Sequence, residues 1–559
     1  MRTVMKWSWF LCLMLAAFAY MCAGLSEPAD GGKTESKIEA QPASRGGLPN
    51  LMRGDWASLM QTTSAIDRAH AEMLEQSGLE EAPVADWLTI CRRMSLALVG
   101  SGMSLEEIRV LEQLPEEDRE STHLSRLLDD PRFHDYWAER WTRFLVGADE
   151  GPFAVYRRRR FRHWLADQIS ANLPYDQFVS KLVTAEGLWT DRPEVNFLTV
   201  TFDTNDGSPD PVRLAARTSR AFLGLRIDCL QCHNDFLGNV NLGDVNDLRE
   251  GLQTDFHQLA SFYTAAKMNG LQGIRAGDTD YEYQYLDTDE TVPVEPAVPY
   301  GESFLPAEGD SRERLAGWIT HRENRQFARA AVARFWALIF GRAPAEAVDN
   351  LPLDEPLPEM LQPIIDDFQE HRDIRRTISA IVQSRPFRLD SRADFQITPE
   401  HESIYAAFPL TRLRGEQVAG SIVQASKIKA IDRDSSFVVQ LIRFGSINDF
   451  LQRYGDLGEN EFSKDGITIP QRLLMLNGEM LRESSGANPV LSATSHINMF
   501  AKDDRQAVES VFLCLLNRYP AANEREHYVR RLAESDDRVS VIEDFFWTLA
   551  NSTEFAWNH

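Results

Sequence analysis

The sequence predicts a mainly α protein: two helical domains joined by a Pro/acidic linker with a short β-hairpin. Three observations predict it. Apolar residues recur every third or fourth position on both sides of residues 268–311, which is the period of an amphipathic helix. Inside that segment the rhythm stops; Tyr281, Tyr283 and Tyr285 alternate as in a strand, and several prolines follow. Helix-start chemistry, either a capping box or an aspartate–proline pair, stands where the stripes begin.

Taken in order, the chain opens on an export signal over residues 1–25. Arg2 and Lys6 precede the uncharged run WSWFLCLMLAAFAYMCAGL (7–25), and SEPADGGKTESK follows at once. That is the basic, apolar and small-residue layout of a secretory signal peptide, with cleavage expected near Ala23 or Gly24. Left uncleaved, the run is close to the about 20 residues that span a bilayer and would tether the chain to a membrane. Met21 stands before Cys22 where lipid attachment wants a small residue. On either reading the body of the protein is exported, periplasmic or membrane-associated facing the periplasm.

Residues 26–84 read as a flexible leader, rich in Gly, Pro, Ser and Lys up to residue 50, and a first helix. Residues 85–267 form the first helical domain. The capping box Ser104-Leu105-Glu106-Glu107 starts one helix, with Leu105, Ile108 and Leu111 behind it. Asp130-Pro131 starts another, whose Phe133, Trp137, Trp141, Phe144 and Leu145 line one face; core packing accounts for these rings without a cofactor. Residues 211–228 read as a third, with Leu214, Thr218, Phe222 and Leu225 aligned, and 253–267 as a short fourth. Residues 268–311 are the hairpin and linker. Their Asp278, Asp280, Asp287 and Asp289 form a solvated acidic turn, because the glycine and terminal glutamate of a calcium loop are missing. Residues 312–559 form the second helical domain. Phe327, Ala331, Phe335, Trp336, Ile339 and Phe340 make a stripe ending at Gly341, and Val508, Val511, Phe512, Leu515 and Leu516 make another. Asn523 and Glu526 are expected to cap the last helical pair after Pro520.

Composition narrows the function. The 559 residues are 43% hydrophobic, 26% charged and 10% aromatic, ordinary for a globular chain. A net charge of −25 argues against a nucleic-acid partner, since phosphate contacts need a cationic face. The basic run YRRRRFRHW (156–164) could dock an acidic partner or the carboxylates of a bound cofactor, but the expected reading is a solvated helix face balancing nearby carboxylates. Of six cysteines, Cys12 and Cys22 lie in the signal, so four remain in a long exported chain, too few for a disulfide framework.

The pair that needs explaining is Cys229-Leu230-Gln231-Cys232-His233. C-x-x-C-H is the spacing of c-type haem attachment, where two thiols add to the vinyl groups and the adjacent imidazole binds iron. On that reading Cys229 and Cys232 hold one covalent haem c, and His233 is its proximal axial ligand. His257 and Met268 are candidates for the opposite side of the iron. Taken on its own residues, each is more readily a helix-surface histidine and a gap-filling methionine. The alternatives for the pair are a local disulfide, a thiol redox couple or no cofactor; a structural zinc site would want four ligands, and no second C-x-x-C or close histidine pair is present. No G-x-S-x-G, P-loop, H-E-x-x-H or dinucleotide turn occurs.

Several stretches resemble the planctomycete-type cytochrome proteins, in which a PSCyt-type domain of unknown function precedes a PSD-type one. They include RRMSLALVGSGMSLEEI (92–108), LLDDPRFHDYWAERW (127–141), AFLGLRIDCLQCHNDFLG (221–238) and TDFHQLASFY (254–263) in the first half. RLAGWITHRENRQFARAAVARFWALIFGR (314–342), LRGEQVAGSIVQAS (413–426), IPQRLLMLNG (469–478) and LLNRYPAANEREHYVRRL (515–532) carry it in the second. The resemblance implies an exported, haem-bearing protein, with Cys229, Cys232 and His233 on the haem motif. It also exposes a departure: such proteins often carry a second histidine two places after the first, where this chain has Asp235. The resulting expectation is electron transfer or redox coupling with a protein partner. Two other classes stay open, a non-redox scaffold whose cysteine pair is a disulfide or vestigial, and a haem enzyme with an open distal site.

Overall fold

The computed structural model describes residues 52–431 apart from 148–150, 204–206, 245–246, 279 and 287, then residues 450, 454, 468–478, 481, 486 and 492–559. The expected signal at 1–25 and the leader up to residue 51 lie outside the described residues, as does Asp287. What is described is mainly α, and its strands pair only two at a time, antiparallel.

Local signals place the helices. Ser104 and Glu107 cap each other reciprocally: the Glu107 carboxylate accepts from Ser104 N at 2.7 Å and the Ser104 hydroxyl from Glu107 N at 3.1 Å. Asp130 accepts from Arg132 N at 2.7 Å and starts helix Pro131–Val146, with Pro131 where a backbone N–H has no partner to lose. That helix turns Phe133, Trp137, Trp141 and Leu145 fully inward. Trp141 meets Tyr175 and Phe178 edge-on, each at 5.2 Å between ring centroids, and Phe335 at 5.9 Å.

Phe335 belongs to helix Arg325–Phe340, every residue of which is buried except Arg325 and Arg329. A helix apolar on nearly all faces must be covered on all of them. One apolar cluster therefore runs from Leu59 to Phe408 and draws on both sides of residues 268–311. A second cluster gathers Leu413 to Phe555 together with Leu96. Arg93 lies between these parts. Its buried guanidinium donates to the carbonyls of Phe387 (2.9 Å), Leu389 (2.7 Å) and His559 (2.9 Å) and lies 3.7 Å from the centre of the Phe408 ring.

Three elements differ from the sequence reading. The helix expected over 211–228 is α only through Pro211–Thr218, winds one π turn over Ser219–Leu223, and stops at Gly224. Gly224 takes φ +61°, and a Cβ there would stand 3.0 Å from Leu351 Cδ1, so the glycine both permits the left-handed cap and admits its neighbour. The helix at 253–267 is α only over Gln253–Ser261; a 3₁₀ turn and strand Ala266–Met268 follow, paired with Ile274–Ala276. Near the C-terminus, helix Ala522–Ala533 starts earlier than Asn523 and Glu526 suggest. Glu524 reaches back to Ala521 N at 2.7 Å and satisfies one of the first-turn donors. The tyrosine hairpin forms as read: Glu282–Tyr283 pairs antiparallel with Val292–Pro293.

Candidate functional site

The approach to the cysteine pair is fixed from the second half of the chain. Gln326 Nε2 donates to the carbonyls of Leu223 (2.7 Å) and Leu351 (2.8 Å), and Leu351 N donates to Gly224 O at 2.6 Å. Arg226 grips both oxygens of Asp349 at 2.9 Å, and Arg220 pairs with Asp228. The chain then makes a single 3₁₀ turn, Asp228–Gln231, anchored by the fully buried Leu230.

Around that buried leucine the chemistry faces outward. Cys229 and Cys232 are exposed, unbridged thiols, and His233 is exposed beside them. His233 Nδ1 lies 2.7 Å from Asn234 O. A carbonyl only accepts, so Nδ1 carries the proton and the neutral ring keeps its lone pair on Nε2. That nitrogen has no hydrogen-bond partner among the described residues. Phe236 and Leu237 follow, 77% and 83% exposed, and the Phe236 ring lies roughly parallel to the His233 ring at 6.2 Å. Two thiols, one imidazole and two apolar side chains are thus exposed within residues 229–237.

Asp235, which stands where the resemblance places a second histidine, is buried and holds the loop. One carboxylate oxygen accepts from Leu237 N at 3.1 Å, the other from Val240 N at 2.6 Å, and its own N–H donates to Gly251 O at 2.9 Å. Partial burial pushes the Cys229 thiol above its ordinary pKa, and the negative charge of Asp235 pushes the same way.

His257 is not the surface histidine its helix suggested. It is fully buried, Nε2 lies 3.0 Å from Gln231 O, Nδ1 lies 2.7 Å from the Tyr281 hydroxyl, and Tyr283 lies near-parallel on its ring at 3.5 Å. Burial lowers its pKa, only partly opposed by the Gln231 carbonyl. Gln253 Nε2 (3.1 Å) and the Tyr283 hydroxyl (3.3 Å) also donate to Gln231 O, while Gln253 N donates to Asn234 Oδ1 at 2.7 Å. In the sequence Gln253 signals no role, and Tyr281 and Tyr283 read only as strand residues. The alternation at 281, 283 and 285 was the available signal, since a strand's period of two sends those phenols to one face. Met268 lies partly buried in its strand, against the main core.

Elsewhere, Arg158 and Arg162 of the basic run reach Glu139 at 3.2 and 3.3 Å, beside Arg143 at 3.5 Å, while Arg157 and Arg160 donate to backbone carbonyls, so two of the run's five arginines balance a carboxylate. Among the described residues no three His, Cys, Asp or Glu side chains converge as a metal-binding group, and no helix is long and apolar enough to cross a membrane.

Two family models match this chain. PSCyt2, described as a protein of unknown function (DUF1549), matches residues 65–258, and PSD1, described as a protein of unknown function (DUF1553), matches residues 311–440. No curated protein and no solved structure matches the chain.

Proposed function

We propose that this chain, which belongs to the proteins that carry a PSCyt2 domain followed by a PSD1 domain, is an exported c-type haem protein serving electron transfer or redox coupling with a protein partner. The observation that carries the reading is the exposed stretch Cys229–His233, with both thiols free and the His233 lone pair on an Nε2 without a partner among the described residues. The residues fit the group. Cys229 and Cys232 would hold haem as thioethers, and His233 would ligate its iron. Haem would supply most of the iron's ligands itself, so one imidazole would suffice where no three protein ligands converge among the described residues. When bound it supplies a one-electron couple. Phe236 and Leu237 offer apolar surface that a porphyrin face would remove from water.

The chain's own residues do the rest. The Asn234 carbonyl holds the His233 ring in the tautomer that presents Nε2. Asp235 pins the strand of loop after it through Leu237 N and Val240 N. The PSD1 part contributes Gln326 and Asp349, which fix the approach to the loop and give that region a structural role in the site.

The test is expression of the exported form in a host with haem-maturation machinery. The denatured band should stain for haem-linked peroxidase and give a c-type pyridine haemochrome, and Cys229→Ala with Cys232→Ala should abolish both. Intact protein lacking both signals would favour the scaffold reading. A shift of the ferrous spectrum on adding carbon monoxide would favour an iron open on one side over a saturated one.

A further inference from the structure

Four-residue 3₁₀ turns have poor hydrogen-bond geometry and seldom hold a shape alone. The turn that presents Cys229 and Cys232 is an exception because the Gln231 carbonyl, lying between the two cysteines, receives donors from His257, Gln253 and Tyr283. Of these, His257 is the one whose tautomer the contact fixes. Gln231 O can only accept, so Nε2 is the protonated nitrogen. The lone pair of the neutral ring then lies on Nδ1, and the Tyr281 hydroxyl donates to it across 2.7 Å. The ring is fully buried, with Tyr283 lying near-parallel on it at 3.5 Å and Tyr285 edge-on at 5.9 Å.

We propose that His257 is a positioning residue for the Cys229–His233 loop: it links the Tyr281 hydroxyl to the Gln231 carbonyl and thereby fixes the turn that sets the two thiols, instead of ligating the iron. Only the contrast with iron ligation rests on the haem reading; the positioning of the loop stands without it. For Nε2 to serve as a ligand the ring would have to abandon Gln231 O, strand the Tyr281 hydroxyl and leave its slot beside Tyr283. A buried group whose two nitrogens are both used has nothing left to offer a metal. The hairpin at 281–293 thus acts as a support for the loop, reached through one imidazole.

Glutamine is the discriminating substitution. In His257→Gln the amide N–H can donate to Gln231 O while the amide oxygen accepts from Tyr281, which preserves the relay and removes the imidazole. His257→Leu keeps bulk and removes both bonds, and Tyr281→Phe removes only the outer one. Amide hydrogen exchange across residues 228–235 and alkylation rates of Cys229 and Cys232 would be measured on the full chain without haem, and the ferric and ferrous spectra on the haem-loaded chain. Exchange and alkylation should rise about fivefold or more in His257→Leu and about threefold in Tyr281→Phe, from the opening that each lost hydrogen bond allows. His257→Gln should stay within about twofold of the parent and leave both spectra unchanged. Wild-type exchange and alkylation in His257→Leu would overturn the proposal, as would a loosened loop or an altered iron spectrum in His257→Gln. Should His257→Leu fail to fold, Tyr281→Phe and His257→Gln decide the matter, and an unaltered loop in Tyr281→Phe overturns it. If the parent chain carries no haem, the haem reading falls, while the exchange and alkylation arms still test the relay.

Discussion

Asp235→Asn probes the loop at its most economical point, because it changes one atom and almost no volume. In the parent chain each carboxylate oxygen accepts a different backbone N–H, Leu237 N at 3.1 Å and Val240 N at 2.6 Å, in a buried setting. An asparagine has one acceptor oxygen, so one of those N–H groups must face an amide NH₂ and go unpaired. A charge-assisted bond lost at a buried site costs about 2 kcal/mol, which corresponds to about thirtyfold in a local opening equilibrium. Native-state hydrogen exchange at Leu237 and Val240 reads that number directly. A second readout follows from charge. In the chain without haem, where Cys229 is a free thiol, Asp235 helps to raise the Cys229 pKa, with burial as the larger cause, so its neutralisation lowers that pKa and moves the alkylation profile of Cys229 to lower pH. Protection at Leu237 and Val240 that matches the parent, with an unmoved Cys229 profile, would refute the account of this loop.

Three further outcomes are expected. Trp141→Ala removes a fully buried indole that touches Tyr175, Phe178 and Phe335, and should cost about 3–5 kcal/mol in denaturant unfolding; a loss under about 1 kcal/mol would mean the shared core is misjudged. Glu416 is held down to a pKa of about 2 against an ordinary 4.5 by Arg140, at 2.5 Å, and Arg414, at 3.1 Å, even though burial opposes this. A depressed carboxylate stabilises above its unfolded pKa and loses that contribution as pH falls from about 4.5 towards 2, so Glu416→Gln should flatten the acid limb of the stability curve; an unchanged limb would contradict the pairing. Gly224→Ala should cost about 1–2 kcal/mol from its left-handed backbone alone, before the contact with Leu351, and a neutral result by thermal unfolding would show that the helix end relaxes.

What could be read from the sequence was what neighbours in sequence decide. Ser104 with Glu107, and Asp130 with Pro131, start their helices through bonds spanning two or three residues, so their roles are visible in the string itself. The stripe through Phe133, Trp137 and Trp141 is legible for the same reason. Gly224 was also in view, but the stripe continued through Leu225, and periodicity alone carried the helix past its true end. His257 failed differently. Its burial depends on a hairpin more than twenty residues onward and on the carbonyl of Gln231 behind it, neither of which a helical period can reveal. The same holds for Arg93, whose partners Phe387 and Leu389 sit nearly three hundred residues away. The C-x-x-C-H itself was plain; that Asp235 would pin backbone amides there was not, because a carboxylate's partners are set only when the loop closes.

Mass spectrometry of the mature exported protein, made in cells that assemble c-type cytochromes, tests the central claim most directly. The tryptic fragment spanning residues 227–249 contains both Cys229 and Cys232. It should carry the mass of one haem and no free thiol. The same fragment recovered with both thiols alkylated, or joined in a disulfide, and without that mass would contradict the account.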